Sequence, residues 1–380
     1  MNSTGIFEQL RGATGEVTST QTLPPAVYTD DTVLALEAKR IFQRAWVGIG
    51  RADRWKNPGE YAAFDLGGVP VFVIRDKSGA LRGFANTCRH RGMQLLQGEG
   101  TVSTVQCPYH AWVYAQSGEL MVAPTMQKTC DFDKSENGLH AFRVEEREGF
   151  AFLCMDPEAP SIDEWLGDFP DWHAPWSLGQ LTTNRRSEME VACNWKSFIE
   201  VFNEYYHLPT VHPDSITHVY DEPDPVDSVS GQFTTQFGTT QGSPAVLDDS
   251  RHLVLPIIQT LEGRNLRGTR YTWVYPNMTF AASSESIWMF EVYPISAAKT
   301  RVAMTVCFAP GAEAEKDFEM RSQKYYERFD TAIAEDVPVL EQQQIGLTSP
   351  FAKPGQFSYL EPSVANFAEW YAEQMSGEAG

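Results

Sequence analysis

The stretch Cys88-Arg89-His90, followed after sixteen residues by Cys107-Pro108-Tyr109-His110, decides how this sequence is read. Two thiolates and two imidazoles arrive as two short pairs, Cys-x-His and Cys-x-x-His. Each pair is compact enough to sit on one tight loop, so two loops can clamp an inorganic centre from opposite sides. Two objects take such a set: a tetrahedral structural zinc of the Cys2His2 type, or a [2Fe–2S] cluster with both histidines on one iron. Zinc fingers usually pair Cys with Cys on a hairpin and His with His on a helix. Here each loop mixes one Cys with one His, which suits a cluster whose two irons see different ligands. The expectation is a [2Fe–2S] cluster held by Cys88, His90, Cys107 and His110.

Working outward, the flanks read as β-structure. Residues 60–66, 69–75 and 81–86 are short runs rich in Val, Phe and Tyr, separated by Gly67-Gly68 and Asp76-Lys77-Ser78-Gly79 turns, as in an antiparallel meander. The first Cys/His loop leaves the third of these strands, and a strand at 102–106 feeds the second loop. Residues 112–115 and 119–122 make a hairpin, and 142–146 and 150–155 flank a Glu148-Gly149 turn. Residues 47–156 are thus expected to form a small antiparallel β domain with both loops at one tip. Before it, residues 1–30 read as a loosely ordered arm in which Pro24-Pro25 blocks helix, and 31–46 as an amphipathic helix capped by Asp30 or Asp31. The span 1–46 is expected to pack on a second domain, 157–380, which opens with a proline- and tryptophan-rich connector. That domain reads as a strand at 185–192, a helix at 194–206, strands at 271–275, 278–282, 287–294 and 300–308, a long helix from 313 to about 344 and a last helix at 363–375. The fold class is α+β.

Bulk properties narrow the function. The 380 residues carry 50 acids against 30 bases, a net charge of −20. A surface that acidic repels phosphate backbones, so no nucleic-acid partner is expected. No run of about 18 apolar residues marks a membrane span, and the polar N-terminus lacks the pattern of a signal peptide. Six cysteines without paired spacing are not a disulfide framework and fit a reducing compartment, so a cytoplasmic protein is expected. Cys130, Cys154, Cys193 and Cys307 read as small buried hydrophobes.

A second constellation lies in the helix expected from Asn194. Glu200, Glu204 and His207 fall at i, i+4 and i+7, on one helical face, and Pro209 is expected to end the helix and let His212 turn back beside His207. Two histidines and one carboxylate on one side of an ion form the facial triad of non-haem Fe(II) oxygenases. Two histidines satisfied by core hydrogen bonds are the plainer reading. The upstream cluster weighs against it, because an electron-transfer centre needs an acceptor. The third ligand would come from the late helix, where Glu335, Asp336 and Glu341 are all available.

Taken together, these residues resemble the terminal oxygenase (α) subunit of Rieske non-haem iron oxygenases over essentially the whole chain. The resemblance rests on Cys88-x-His90-x16-Cys107-x2-His110, on Asn194-Trp195-Lys196 through His207 and His212, and on Glu335-Asp336 with Glu341, Gln344 and Gly346. It implies a Rieske domain followed by a helix-grip (START-like) catalytic domain with a curved antiparallel sheet. It implies one [2Fe–2S] cluster and one mononuclear Fe(II) per subunit, the latter on His207, His212 and Asp336, with Glu335 and Glu341 as neighbouring acids. A separate flavin- or ferredoxin-type reductase would pass NAD(P)H electrons to the cluster and thence to the iron, where O2 is used. It further implies a head-to-tail homotrimer in which His110 of one subunit reaches the iron of the next through a bridging carboxylate, at Glu204 in this chain. That position is usually Asp, and Glu there is similar to the subgroup acting on quaternary ammonium compounds. A second departure is Ala111, where many members have Gly.

Three functions are weighed. One is hydroxylation of a carbon next to nitrogen, leading to N-dealkylation or C–N cleavage of a quaternary ammonium compound or an N-alkyl amide or anilide. Its supports are Glu204 and an aromatic-rich segment (Tyr271, Trp273, Tyr275, Phe280, Trp288) that could build a cation–π cage or simply be core. Another is ring hydroxylation or O-demethylation of an aromatic acid, which a basic residue in the pocket would favour; Arg264, Arg267 and Arg270 are candidates. The third, an electron carrier only, is disfavoured by the length of the chain and by the His207, His212 and Asp336 set.

Overall fold

A computed structural model describes residues 10–376. The chain divides into two units, one of residues Phe42–Ala159 and one combining the residues up to Ile41 with those from Pro160 onward.

The smaller unit is all β. Strands β1 (Val47–Arg51), β2 (Glu60–Leu66), β3 (Val69–Arg75), β4 (Leu81–Ala85), β5 (Glu99–Thr101), β9 (Ala141–Arg147) and β10 (Phe150–Cys154) form one antiparallel sheet in the order β1-β10-β9-β4-β3-β2-β5. A three-stranded sheet, β6 (Val105–Gln106), β7 (Val113–Tyr114) and β8 (Leu120–Val122), completes it. The sequence reading ran 102–106 together; only Val105–Gln106 pairs there, and β5 is a short exposed edge with no apolar pattern to announce it. Phe72, Phe84, Trp112 and Tyr114 make the core under the two cysteines.

Each Cys/His loop is a tight turn closed on its own backbone. Gly92 N–H donates to Cys88 O, and Ala111 N–H donates to Cys107 O. Both closing residues have left-handed backbone, Gly92 at φ +72° and Ala111 at φ +55°. Glycine enters that region at no steric cost, whereas an alanine there bears about 1–2 kcal/mol of strain. Asn86 locks the first loop from beneath, its Oδ1 accepting from Leu95 and Leu96 N–H and its Nδ2 donating to Leu96 O.

The larger unit is built on a six-stranded antiparallel sheet, in the order β11 (Thr182–Val191), β16 (Lys299–Phe308), β15 (Ser286–Ser296), β14 (Met278–Ala282), β13 (Gly268–Val274), β12 (Phe233–Thr239). Helices α2 (Trp195–Phe202), α4 (Phe318–Leu347) and α5 (Pro362–Ser376) lie on one face, as the pairs Phe290–Phe198, Trp288–Phe329 and Trp273–Phe367 show. The short helix Phe169–His173 covers the other face, where Phe169 meets Phe280 and His173 Nε2 meets Thr272. This is the helix-grip arrangement of an α+β protein. Among the described residues no helix is long and apolar enough to cross a membrane.

Two expectations about the N-terminal segment need correction. Residues 1–9 of the expected loose arm lie outside the described residues. From residue 10 onward the chain is packed: Leu10, Leu23, Val27 and Tyr28 are buried, and Pro25 caps the helical turn Ala26–Thr29 instead of preventing one. The helix expected at 31–46 is a regular α-helix only over α1 (Asp31–Glu37), with Asp30 as its cap, and is underwound into a π-turn at Ala38–Phe42.

Candidate active site

The histidine-bearing segment is not one helix. α2 starts where Asn194 accepts from Lys196 N–H, and it stops at Phe202 because Asn203 competes for the backbone. Asn203 Nδ2 donates to Ile199 O at 2.6 Å, taking the carbonyl that a continuing helix would have used, and its Oδ1 accepts from Thr279 Oγ1 at 2.9 Å. Glu204 and His207 therefore do not share a helical face with Glu200, as the spacing had suggested. The Glu204 carboxylate instead folds over the irregular turn and accepts the N–H groups of Tyr206 and His207. Pro209 does not terminate a helix either; it sits in the first turn of α3 (Leu208–Val211), where a missing N–H costs nothing. His207 precedes this single turn and His212 follows it, with ring centroids 5.1 Å apart.

Helix α4 supplies the acids. Among the described residues, His207, His212 and Asp336 form the one set of three such side chains whose ligand atoms all lie within 4.8 Å of one another. Asp336 Oδ1 is 3.0 Å from His212 Nε2 and 3.7 Å from His207 Nε2. Each imidazole has a carboxylate on its other nitrogen: Glu204 Oε1 at 2.5 Å from His207 Nδ1, and Glu335 Oε2 at 2.6 Å from His212 Nδ1. A carboxylate only accepts, so both Nδ1 atoms carry a proton, and in the neutral rings that a metal requires each Nε2 presents a lone pair. Two lone pairs then face the oxygen of Asp336, which is buried and makes no hydrogen bond. Three acceptors converging without a donor repel one another unless a cation sits between them, which is the arrangement a mononuclear iron takes. Burial disfavours a charge on His212, and Asp336 and Glu335 outweigh it, so positive charge is stabilised at this spot. Glu335 also accepts from Ser215 Oγ at 2.7 Å. Glu341 is not a neighbouring acid of this set: it accepts from Ala192 N–H at 3.4 Å, one and a half turns further along α4.

In the smaller unit the two loops bring His90 Nδ1 to 3.2 Å from His110 Nδ1. Cys88 Sγ lies 3.2 Å from the Tyr114 hydroxyl, and the His90 ring stacks on Trp112. A tetrahedral zinc would draw its ligand atoms to within about 4 Å of one another, yet no three of these four satisfy even 4.8 Å. A larger group bridging the histidine pair and the cysteine pair fits the spacing. Of the other cysteines, Cys154, Cys193 and Cys307 are buried, but Cys130 is exposed, contrary to its sequence reading; none of the six forms a disulfide.

A narrow cavity opens beside His207, His212 and Asp336, walled by Phe202, Tyr205, Tyr271, Trp288 and Arg328. Register explains which aromatics reach it. Tyr271, Ala281 and Trp288 pair across β13, β14 and β15 and so share the helix-covered face. Phe280 is one residue out of phase and faces the helix Phe169–His173, while Trp273 and Tyr275 are consumed in packing against Phe367 and Trp370. None of the three arginines weighed from the sequence lines the cavity. Arg270 points to the opposite face, paired with Asp227 at 2.5 Å, Arg264 pairs with Asp224, and Arg267 is exposed. The basic residue that does line it, Arg328, was missed. Its signal was available, because Arg328, Ala332 and Asp336 follow one another at every fourth position of α4 and so lie on one stripe.

A β domain carrying a Cys2His2 cluster site, joined to an α+β domain carrying a two-histidine, one-carboxylate metal site, defines an oxygenase that feeds electrons through an iron–sulfur centre. The comparisons agree. Residues 178–377 match the family model of the ring hydroxylating alpha subunit (catalytic domain), and residues 45–142 match that of the Rieske [2Fe-2S] domain. The chain belongs to the family of Rieske oxygenase alpha subunits. As such it is an oxidoreductase with a [2Fe–2S] cluster and a mononuclear iron, supplied with electrons by a separate reductase. It is 26% identical to the glycine betaine monooxygenase oxygenase subunit of Pseudomonas aeruginosa (strain UCBPP-PA14), over 98% of this chain and 94% of that one. Its fold is similar to a quaternary ammonium Rieske monooxygenase (TM-score 0.80, 23% identity, 97% of this chain and 98% of that one). It is similar to the same degree to naphthalene 1,2-dioxygenase from Rhodococcus sp. (TM-score 0.79, 20% identity, 100% and 99%). The fold therefore does not choose between an alkylammonium and an arene; the pocket must.

Proposed function

We propose that the chain hydroxylates a carbon bonded to nitrogen in a small alkylammonium compound, so that the product falls apart by C–N cleavage. One oxygen atom of O2 enters the C–H bond and the other leaves as water, with two electrons from the reductase and two protons from solvent. The resulting carbinolamine expels the amine and leaves an aldehyde. The observation that carries this reading is the lining of the cavity, where Phe202, Tyr205 and Tyr271 stand beside the histidines as aromatic rings that can face a cation. The glycine betaine oxygenase subunit, matched along nearly the whole chain, supports it.

The residue roles belong to the same proposal. His207, His212 and Asp336 hold the iron, and Cys88, His90, Cys107 and His110 hold the cluster. Glu204, already bonded to His207 Nδ1, relays electrons from His110 of the neighbouring subunit in a homotrimer. The setting is the cytoplasm, where six cysteines outside any disulfide stay reduced. Oxidation of an aromatic acid is a second reading, favoured by one observation, the basic side chain of Arg328 in the cavity wall.

The deciding assay couples the enzyme to a reductase and NAD(P)H and offers betaines, N-alkyl anilides and methoxybenzoates. Release of a dealkylated amine with stoichiometric aldehyde is expected from an N-alkyl substrate. Phenol or arene-diol formation from the benzoates, with no amine released from any nitrogen compound, would refute the reading.

A further inference from the structure

Arg328 is a charged residue of the cavity wall that the N-dealkylation chemistry above leaves unused. It is 1% exposed and lies on α4 two turns before Asp336, a rise of about 12 Å along the helix axis. Its Nε donates to Pro244 O at 2.8 Å. Its Nη1 is buried and has no hydrogen-bond partner, and among the described residues no carboxylate pairs with it. The guanidinium rests over Trp288 at 5.3 Å and Phe329 at 5.6 Å, so these rings hold it in place without answering its N–H groups. It borders both the cavity at the histidines and a smaller adjoining one lined by Tyr220, Ser283 and Ser286.

A guanidinium cannot shed its proton in a protein, and a buried donor left unmade is strongly disfavoured. A buried donor that the chain leaves unanswered is completed from outside the chain, by water, an ion or a ligand, and Arg328 borders the cavity that a ligand would enter. The complement of a planar fork of N–H donors is a carboxylate. We propose that Arg328 is the anion anchor of the substrate pocket. The substrate carries a carboxylate that pairs with Arg328 at one end, while the carbon to be oxidised lies at the histidine end. Taken with the alkylammonium reading, on which the cationic end rests, the substrate class is a zwitterion, an N-alkylated amino acid or betaine. A purely cationic alcohol such as choline is disfavoured, because Arg328 repels it and stays unpaired. An aromatic carboxylate offers the same anion without the cation.

The test measures binding of glycine betaine, its methyl ester, choline and 4-methoxybenzoate by calorimetry, to the cluster-loaded enzyme and to the Arg328→Gln and Arg328→Lys variants. Glycine betaine is expected to bind the unaltered enzyme about 10–100-fold more tightly than its ester or choline. Arg328→Gln should erase that preference by weakening glycine betaine alone, and Arg328→Lys should restore part of it. The ester comparison needs no variant, so it decides even where Arg328→Gln does not fold. Equal binding of ester and acid, or an equal loss for all probes in Arg328→Gln, overturns the anchor. If 4-methoxybenzoate instead of glycine betaine binds in an Arg328-dependent way, the anchor stands and the N-dealkylation reading falls. If amine and aldehyde are released from substrates whose affinity ignores Arg328, the anchor falls and that reading stands.

Discussion

Glu335 and Glu204 do the same thing for different histidines: each accepts a hydrogen bond from Nδ1–H and so aims Nε2 at Asp336. Outer carboxylates of this kind usually account for 10–100-fold in metal affinity. Glu335→Gln should therefore weaken Fe(II) binding by about that factor in a titration of the iron-stripped protein, with the cluster spectrum unchanged; undiminished affinity would show that Ser215 and burial suffice to orient His212. His207→Ala and Asp336→Ala should take the metal content from about three irons per chain to about two, the number a Rieske cluster keeps. They should also abolish turnover while leaving the visible spectrum intact. A variant that still holds about three irons removes its residue from the ligand set.

At the scale of elements, the site depends on how α1, α2 and α5 are tied together behind it. Lys196 Nζ and Glu37 Oε1 form a fully buried ion pair at 2.6 Å. Glu37 also accepts from Trp195 Nε1 and from the Tyr371 hydroxyl, so one carboxylate joins all three helices. Removing one partner of such a pair strands the other: Lys196→Met should cost about 3–5 kcal/mol in denaturant unfolding. A loss under about 1 kcal/mol would mean that the remaining donors satisfy Glu37 unaided. One turn further on, burial pushes Glu200 up to about 7, against the pull of the Tyr28 hydroxyl and Lys196. A carboxyl that is harder to ionise in the folded chain than in the unfolded chain favours folding at low pH. That advantage is lost as pH rises from the usual carboxylate range through 7, by roughly 3 kcal/mol. Thermal melts of Glu200→Gln should lack this decline between pH 5 and 8; a decline identical to that of the unaltered chain would assign it elsewhere.

At the scale of the whole molecule, the proposed circuit closes between subunits, and complementation tests it. Chains carrying Cys88→Ser keep the iron site and lose the cluster, while chains carrying His207→Ala do the reverse. Neither alone should turn over. Refolded or co-expressed together they should regain activity at about a quarter of the sites, as random pairing in a closed ring implies. No recovery in demonstrably mixed oligomers would place the electron path within one chain.

The sequence by itself determined the class. Cys88, His90, Cys107 and His110 could be read because an iron–sulfur centre demands soft ligands at spacings that a single tight loop can span, and such spacings survive as local patterns. Strands β2 and β3 and the late helices were legible for the same reason, since side-chain periodicity is a local signal. What failed was local structure overruled from a distance. The segment after Phe202 has helical spacing, but Asn203, held by Thr279 on β14, breaks it and lets Glu204 fold back on His207. Cross-strand register, invisible along the chain, decided that Tyr271 and Trp288 reach the cavity while Phe280 does not. Packing of α4 on the sheet likewise buried Arg328 in the cavity wall instead of the three arginines near β13. The metal chemistry is written in short motifs because bonding to a metal is short-ranged. The choice of substrate belongs to side chains brought together only by the fold.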